Sequence, residues 1–202
     1  MKLVILSKPT FFVEEDKILA ALFDEGLDSL HLYKPDSSPL YSERLLSLLP
    51  DDVYRRITVH DHYYLKDEYS LGGIHLDDPA AEAPKGYKGR QSRTCSELSQ
   101  LKEAKKRSSY VFLSGVFDSI SRPGVGAAFS RPQLEAAASD GLIDRKVYAL
   151  GGVNLDNARL AARMGFGGVV VCGDLWSRFD IHHADDYSDL IAHFARLRKA
   201  IE

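Results

Sequence analysis

Glycines at the ends of two apolar runs have the spacing of a phosphate-binding site. Gly151 and Gly152 follow the run 147–150, and Cys172 and Gly173 follow the run 169–171. Glycine lets a ligand approach the backbone closely, and free N–H groups at the start of a following helix suit a phosphate. The alternative is that these glycines only form tight turns between a strand and a helix. We predict that the four residues bind phosphate.

A hydroxyl-rich segment carries a second group that suits phosphate. Ser119, Ser121 and Arg122 lie in the long glycine-rich stretch 114–126, which follows an apolar run. Two hydroxyl donors and a fork-shaped guanidinium can meet several oxygens of a diphosphate at once. A solvated polar loop is the alternative. A long loop after a strand is more often functional than a plain connection.

Carboxylates follow two other apolar runs. Asp61 comes after the run 57–60, and Asp77 and Asp78 end the run 73–78. Mg²⁺ takes one or two carboxylates together with phosphate oxygens, so Asp61 and Asp77 are candidate ligands of Mg²⁺. The alternative is that Asp61 caps a short helix and that Asp77 or Asp78 begins a loop.

Three histidines fall on successive predicted strands. His31, His60 and His75 could form a zinc site or a proton-transfer cluster, because neutral imidazole binds zinc and titrates near neutral pH. A histidine on a strand is also commonly a hydrogen-bonded core residue. Both interpretations remain open at this point.

The elements that position these residues alternate between strands and helices. Leu30 and Leu32 alternate with His31 and Tyr33, so the first pair is expected to face helices and the second to face inward. Eight such units in 202 residues predict an α/β protein with one domain, residues 1–202, folded as a compact (β/α)₈ TIM barrel. Strands are predicted at 3–6, 29–35, 57–60, 73–78, 89–92, 110–113, 147–150 and 169–171, and the first and last helices at 13–23 and 186–200.

A TIM barrel gathers functional residues at the carboxyl ends of its strands, and phosphate commonly binds after strands seven and eight. This rule brings the groups above to one face. The predicted site consists of Arg122, Lys34, His75 and His60 as catalytic residues, of Tyr33, His31, Ser92, Ser119, Ser121, Gly151, Gly152, Cys172 and Gly173 as substrate-binding residues, and of Asp61 and Asp77 as metal ligands.

Composition limits the function classes. The net charge is −3, so no global basic field favours nucleic acid. No apolar stretch has the length of a membrane span, and the N-terminal apolar run stops at Lys8 before it reaches the length of a signal peptide. The sequence predicts a soluble cytoplasmic protein, and Trp176 with Phe179 is a candidate surface for a homodimer.

The order and spacing of these motifs resemble the thiamine phosphate synthase and thiazole tautomerase superfamily across nearly the whole chain. The resemblance is carried by G-I-H-L at 73–76 and A-L-G-G-V at 149–153, together with H-L-Y-K-P at 31–35, V-H-D at 59–61 and S-G-V-F-D-S-I-S-R at 114–122. It implies a transferase of thiamine biosynthesis that joins a pyrimidine diphosphate to a thiazole phosphate, releases pyrophosphate and uses Mg²⁺.

The resemblance also implies roles for single residues. Asp61 matches a metal aspartate, Ser119 and Ser121 match diphosphate-binding threonines, and Arg122 matches the lysine that steadies the departing diphosphate. The thiazole phosphate is expected at Gly152 and at Cys172 with Gly173.

Four positions depart from the family pattern. The strand-two arginine falls on Tyr33, unless Lys34 supplies the cation, and the strand-three asparagine is His60. The second metal aspartate falls near Ala80, and the strand-five histidine of the tautomerases is Thr94. Two alternatives follow. One is a tautomerase-like isomerase that uses a barrel histidine without metal, and the other is a thiamine-phosphate-binding homologue that lost its catalytic groups.

Overall fold

Parallel strands form a closed barrel in the computed structural model, which describes residues 1–180 and 186–202. Each strand pairs with its neighbours in chain order, and β1 closes the ring by pairing with β8. The predicted (β/α)₈ TIM barrel is confirmed. The described strands are β1 (Lys2–Leu6), β2 (Ser29–Leu32), β3 (Ile57–Val59), β4 (Gly73–Leu76), β5 (Gln91–Cys95), β6 (Tyr110–Leu113), β7 (Val147–Leu150) and β8 (Gly168–Val171).

Helices cover the outside of the barrel. The described α-helices are α1 (Glu15–Asp24), α2 (Pro39–Leu48), α3 (Leu65–Glu68), α4 (Leu101–Lys106), α5 (Arg131–Ser139), α6 (Ala158–Arg163), α7 (Gly173–Trp176) and α8 (Ser188–Ile201), with 3₁₀ turns at Asp51–Arg56 and Leu98–Gln100. The apolar face of α8 includes Leu190, Phe194 and Leu197, which are fully buried. Burial of such faces against the strands supplies most of the stability of a helix in a globular protein.

Alternation along the strands divides the core into two parts. Leu30 and Leu32 belong to the large apolar cluster between strands and helices, as predicted. His31 faces the barrel interior, where its ring packs on Phe112 at a centroid distance of 4.6 Å. The apolar residues of the interior cluster are Val4, Tyr110, Phe112, Tyr148 and Val170. Polar residues of β2 to β5 must therefore fill the rest of the interior.

The predicted strand five, 89–92, begins two residues and ends three residues too early. The structure places β5 at Gln91–Cys95 and leaves 89–90 outside the strand. The sequence Q-S-R-T-C has only one apolar residue, so its hydrophobic pattern does not mark a strand. Arg93 nevertheless points outward and is fully buried, donating from Nη1 to the carbonyl oxygen of Pro79 at 2.6 Å and from Nε to Ser108 Oγ at 2.9 Å.

The surface predicted at Trp176 and Phe179 was also wrong. Both side chains are buried, and Phe12 packs on them with ring centroids 5.8 and 4.8 Å away. Trp176 Nε1 also donates to the carbonyl oxygen of Leu6 at 2.8 Å. A homodimer stays a prediction, with no contact surface at these residues. Among the described residues, no helix combines the length and the apolar character needed to cross a membrane.

Candidate active site

A cavity of about 600 Å³ opens at the carboxyl ends of the strands. Apolar side chains such as Leu6, Phe112, Ile120 and Val170 form much of its wall. The predicted site residues that line it are Tyr33, His60, Asp77, Ser119, Ser121, Arg122, Gly151, Gly152, Cys172 and Gly173. A mainly apolar cavity with a few convergent polar groups is the usual form of a small-molecule site.

The glycines after β7 and β8 support the segment that follows β6. Gly152 has a φ of +64°, and a Cβ there would collide with the carbonyl oxygen of Asp118. A Cβ at Gly173 would lie 3.1 Å from the backbone nitrogen of Ser121. The close packing of the segment 115–126 against β7 and β8 therefore depends on these glycines.

Gly152→Ala is expected to lower the free energy of unfolding by about 2–3 kcal/mol, because the left-handed backbone and the collision with Asp118 both cost energy. Urea unfolding measures this change. Gly86→Ala is the matched control, since Gly86 has a φ of +82° with open space around it. Equal losses in the two variants would show that the close approach to Asp118 is unimportant.

The segment after β6 is held by its own hydrogen bonds. Ser119 N donates to the Val125 carbonyl oxygen at 2.8 Å, and Arg122 N donates to Ser119 Oγ at 3.1 Å. Asp118 Oδ1 accepts from Ala127 N at 2.8 Å. The Arg122 guanidinium forms no ion pair or hydrogen bond with any residue that the structure describes. Its charge is therefore available to a ligand in the cavity.

Carboxylates and a phenol meet at the ends of β2, β3 and β4. Asp77 Oδ1 accepts from His60 Nδ1 at 2.8 Å, and Asp61 Oδ2 accepts from Lys34 N at 3.2 Å. The pKa of Tyr33 is raised by burial and then by Asp77 and Asp61, while Arg122 acts in the opposite direction. Tyr33 is thus within electrostatic reach of both carboxylates and of the guanidinium. Asp78 instead begins a loop, since its Oδ1 accepts from Ala80 N at 2.7 Å.

The three histidines form a hydrogen-bonded chain inside the barrel. His31 Nδ1 lies 2.9 Å from His60 Nε2, and His31 Nε2 lies 2.7 Å from the Tyr110 hydroxyl. An ionised carboxylate only accepts, so His60 Nδ1–H donates to Asp77. With neutral rings, His31 Nδ1–H then donates to His60 Nε2, and Tyr110 donates to His31 Nε2. One consistent arrangement of protons satisfies the whole chain.

These hydrogen bonds revise the catalytic assignment of His60 and His75. His75 Nδ1 lies 2.8 Å from Ser92 Oγ, and His75 Nε2 lies 2.8 Å from Thr94 Oγ1. Every ring nitrogen of the three histidines thus has a partner, although their ligand atoms all lie within 4.8 Å of one another. The hydrogen-bonded core accounts for the cluster. Neither His60 nor His75 has a ring nitrogen free for a substrate in this arrangement.

Burial of His31 predicts a pH dependence of stability. Burial, and secondly the neighbouring His60 and Arg90, hold the pKa of His31 well below 6.5. The unfolded chain therefore binds a proton below pH 6.5 that the folded chain does not bind, so acid favours unfolding. We expect His31 to contribute up to about 1.4 kcal/mol of lost stability per pH unit below 6.5.

Urea unfolding between pH 4.5 and 7.5 tests this expectation. His31→Gln removes the titrating group and keeps a polar side chain, so the free energy of unfolding should fall less steeply with acid in this variant. Parallel pH profiles for the variant and the original chain would contradict the assignment.

Lys34 was predicted to be a catalytic residue at the cavity, but the structure places its side chain elsewhere. Lys34 is 1% exposed, and its Nζ contacts Glu15 Oε1 and Oε2 at 2.6 and 2.9 Å and the Thr10 carbonyl oxygen at 3.1 Å. Its ammonium also lies 4.3 Å from the centroid of Phe11. An ammonium with these partners holds the chain before α1 and does not reach the cavity.

The position predicted for Ser92 was wrong for a related reason. Because β5 extends to Cys95, Ser92 lies within the strand, fully buried behind His75, and Thr94 takes the position at the cavity. The sequence analysis named Thr94 only as the position of the tautomerase histidine and did not include it among the predicted site residues. Alternation of Ser92 with Thr94 would have found it once the strand was placed correctly.

Comparisons with known proteins show what the whole chain resembles. No family model matches the chain. A thiamine-phosphate synthase from Nitrosomonas eutropha is 28% identical over 148 residues, which cover 70% of this chain. The match spans 66% of that protein, slightly less than two thirds of its length.

Two solved structures extend the comparison to the whole chain. The crystal structure of thiamine phosphate pyrophosphorylase from Bacteroides thetaiotaomicron is 45% identical, with a TM-score of 0.90, over 99% of this chain and 97% of that chain. Thiamine phosphate pyrophosphorylase from Pyrococcus furiosus is 17% identical, with a TM-score of 0.76 over 99% and 95% of the two chains, and shows the shared fold. The resemblance predicted from the sequence is confirmed, and the chain belongs to the thiamine phosphate synthase family, also called the thiamine phosphate pyrophosphorylases.

Proposed function

We propose that the protein is a thiamine phosphate synthase, a transferase of thiamine biosynthesis that joins a pyrimidine diphosphate to a thiazole phosphate and releases pyrophosphate. One observation carries the proposal. A single cavity is lined by the glycines after β7 and β8 together with Tyr33, Asp77 and Arg122. The full-length likeness to a thiamine phosphate pyrophosphorylase at 45% identity supports it. Cytoplasmic location stays a prediction from the sequence.

The thiazole phosphate is assigned to the glycine side. Gly152 and Gly173 both line the cavity. Phosphate commonly binds after strands seven and eight of a TIM barrel. Cys172 between them is neutral at physiological pH, because burial raises the pKa of its thiol to about 11. A thiol in that state adds no negative charge that would repel the phosphate.

The diphosphate is assigned to the segment after β6. Ser119 and Ser121 offer hydroxyl groups, and Arg122 offers an unpaired guanidinium. Tyr33 faces them, and its hydroxyl forms no hydrogen bond with the residues that the structure describes. The phenol can therefore donate to a phosphate oxygen where the family pattern has an arginine. The site then has one cationic side chain, Arg122, where the family pattern has two. This difference predicts weaker binding of the diphosphate, unless Mg²⁺ supplies the missing positive charge.

The donor set near Tyr33 fits Mg²⁺. Asp61 and Asp77 follow the adjacent strands β3 and β4, and after burial they both raise the pKa of Tyr33, so two carboxylates act on one phenol. Burial raises the pKa of Tyr63, and Asp77 and then Asp61 raise it further. Mg²⁺ prefers such oxygen ligands and would neutralise charge on the departing diphosphate. Asp61 and Asp77 would hold it, and His60 fixes the orientation of Asp77 by donating from Nδ1.

The reaction exchanges one bond for another at the pyrimidine. The carbon–oxygen bond to the diphosphate breaks with its electron pair on the leaving group, and the thiazole nitrogen forms the new carbon–nitrogen bond. Arg122 remains close to the negative charge that develops on the departing diphosphate. A cation held at that place stabilises the transition state and so lowers the activation barrier. Apolar wall residues, including Phe117, Val153 and Val170, exclude water from the reacting carbon.

The two alternatives are less favoured. A tautomerase-like reaction needs an imidazole that can exchange protons with the ligand, and the tautomerase position is occupied by Thr94. His60 and His75 have no free ring nitrogen. The chain is similar to a thiamine-phosphate synthase and to a thiamine phosphate pyrophosphorylase, which also argues against a homologue that only binds.

Pyrophosphate release tests the proposed function directly. The purified chain with Mg²⁺, the pyrimidine diphosphate and the thiazole phosphate is expected to release pyrophosphate and form thiamine phosphate in equal amounts. EDTA should abolish the reaction, and excess Mg²⁺ should restore it. No release in the complete mixture would exclude the synthase, and a thiazole absorbance change without pyrophosphate would identify the tautomerase.

A further inference from the structure

A second cavity, which we call the recess, opens at the other end of the barrel, where the strands begin. Its volume of about 150 Å³ is room for about five water molecules. The residues that line it include Lys2, Ser29 and Tyr110, which are the first residues of β1, β2 and β6. The catalytic cavity lies at the opposite ends of the strands, and no described residue lines both cavities.

The interior of the barrel is polar and thinly filled at this end. Ser29, Thr58 and Gly73 each lie two residues before one of the three interior histidines, so they face inward as well. A TIM barrel usually fills its interior with bulky branched side chains. Small polar residues and a glycine leave the recess open instead.

Two largely buried hydroxyl groups in the recess have no protein partner. Tyr148 is 9% exposed and Thr58 is 6% exposed, and neither hydroxyl forms a hydrogen bond with any residue that the structure describes. The Tyr148 ring is held by stacking on Tyr110 with ring centroids 4.8 Å apart. Burying a hydroxyl without a partner costs free energy. The two hydroxyls therefore require a polar occupant of the recess.

The charges around the recess favour an anion as this occupant. Its lining contains one carboxylate and four cationic side chains, namely Asp28 with Lys2, Arg55, Arg56 and Arg90. The carboxylate already has partners, because Asp28 Oδ1 contacts Lys2 Nζ at 2.6 Å and its Oδ2 accepts from Leu3 N at 2.9 Å. The three arginines form no ion pair with any residue that the structure describes. Their positive charge is therefore not balanced by the protein.

Arg90 is the cation that reaches over the interior. Its guanidinium carbon lies 5.2 Å from the centroid of the Tyr110 ring. Burial raises the pKa of Tyr148 and Tyr110 raises it further, whereas Arg90 lowers it, so the guanidinium is within electrostatic reach of the unpartnered hydroxyl. A guanidinium fork together with hydroxyl donors matches the several oxygens of a phosphate.

We propose that the recess is a second anion site, which binds one inorganic phosphate through the Arg90 guanidinium and the hydroxyls of Tyr148 and Thr58. The recess has about 150 Å³ against about 600 Å³ for the catalytic cavity, so it suits a single small oxyanion and not a phosphorylated ring. This site does not depend on the proposed function, because no residue of the catalytic cavity takes part in it.

Backbone amide NMR shows where phosphate binds without requiring turnover. Inorganic phosphate is titrated into the isotope-labelled chain at constant ionic strength, with sodium chloride as the reference salt. The amides of Gly72 and Arg90 report on the recess, and those of Gly152 and Gly173 report on the catalytic cavity. We expect saturable shifts at the recess amides with a dissociation constant of their own. Shifts confined to the catalytic glycines, or equal shifts with chloride, would overturn the proposal.

Single substitutions test the donors. Arg90→Ala should weaken phosphate binding at the recess about 10- to 100-fold, the range for hydrogen bonds to a charged group. Tyr148→Phe keeps the ring that stacks on Tyr110 and removes only the hydroxyl, so the affinity should fall about 2- to 10-fold.

Arg44→Ala is the matched control, because it removes an exposed arginine of α2 that lines neither cavity. Phosphate binding at the recess should be unchanged in this variant. Equal affinities in Arg90→Ala and Arg44→Ala would show that the arginines only cover the end of the barrel, and this result would refute the anion site.

The anion site and the proposed function can fail separately. A chain that released no pyrophosphate from its substrates would still be expected to bind phosphate at the recess. An active chain whose recess amides did not respond to phosphate would refute the anion site alone.

Discussion

Arg122→Ala is expected to lower kcat/KM for pyrophosphate release by about 100- to 1,000-fold, the range found when a fixed donor to developing charge is removed. The guanidinium lines the cavity and has no ion-pair partner among the described residues, so its charge is free for the diphosphate. Because the side chain is exposed, the free energy of unfolding should hardly change. Steady-state kinetics and urea unfolding measure the two quantities.

Two controls define the role of Arg122. Arg122→Lys keeps the charge without the fork and should recover part of the activity, as a lysine occupies this position in the family pattern. Arg131→Ala removes another exposed arginine, which pairs with Glu135 on α5, and should leave kcat/KM unchanged. An Arg122→Ala enzyme that turned over like the original would refute the assignment of the segment after β6 to the diphosphate.

Lys34→Met is expected to destabilise the fold by about 3–5 kcal/mol, the usual cost of leaving one member of a buried ion pair without its partner. Glu15 is 2% exposed, and Lys34 is its charged partner at 2.6 Å. Burial raises the pKa of Glu15 and lowers the pKa of Lys34, so both charges depend on each other. Urea unfolding at pH 7 measures the loss.

Two further variants separate the buried pair from an ordinary surface pair. Lys34→Met combined with Glu15→Leu should recover much of the stability, because no isolated charge remains buried. Lys17→Met breaks the exposed pair with Glu14, which has the same 2.6 Å separation, and should change stability little. A loss in Lys34→Met as small as in Lys17→Met would show that the buried pair contributes nothing.

Most of the fold follows from apolar patterns in the sequence. Runs such as Tyr110–Leu113 and Val147–Leu150 are buried on both sides, and their alternation with amphipathic helices predicts a parallel sheet. The bounds of β5 could not be predicted in this way, because its inward residues are the polar Ser92 and Thr94. Their burial depends on His75 from the neighbouring strand, which no local pattern reveals.

The sequence predicted which residues lie at the cavity where their place follows from a strand end. It predicted less well which side chains are free, because that depends on contacts with residues distant in the sequence. Gly151 and Gly152 lie at the cavity because a strand end places them there. Lys34 looked available because its partner, Glu15, lies on a different element 19 residues earlier. The sequence suggested that the histidines were free to react. Their ring nitrogens are in fact hydrogen-bonded to groups on other strands, including the Tyr110 hydroxyl, and a sequence pattern does not show such contacts. Side-chain availability is thus a property of the assembled barrel.

The segment 115–126 rests on glycines from two different strands and carries the groups assigned to the diphosphate. Gly152 contacts it at Asp118, and Gly173 contacts it near Ser121. Displacing the segment would therefore alter both walls of the cavity at once. Binding at the two walls is then thermodynamically linked. If one phosphorylated ligand stabilises the seated segment, it raises the affinity for the other by a certain factor, and the second raises the affinity for the first by the same factor.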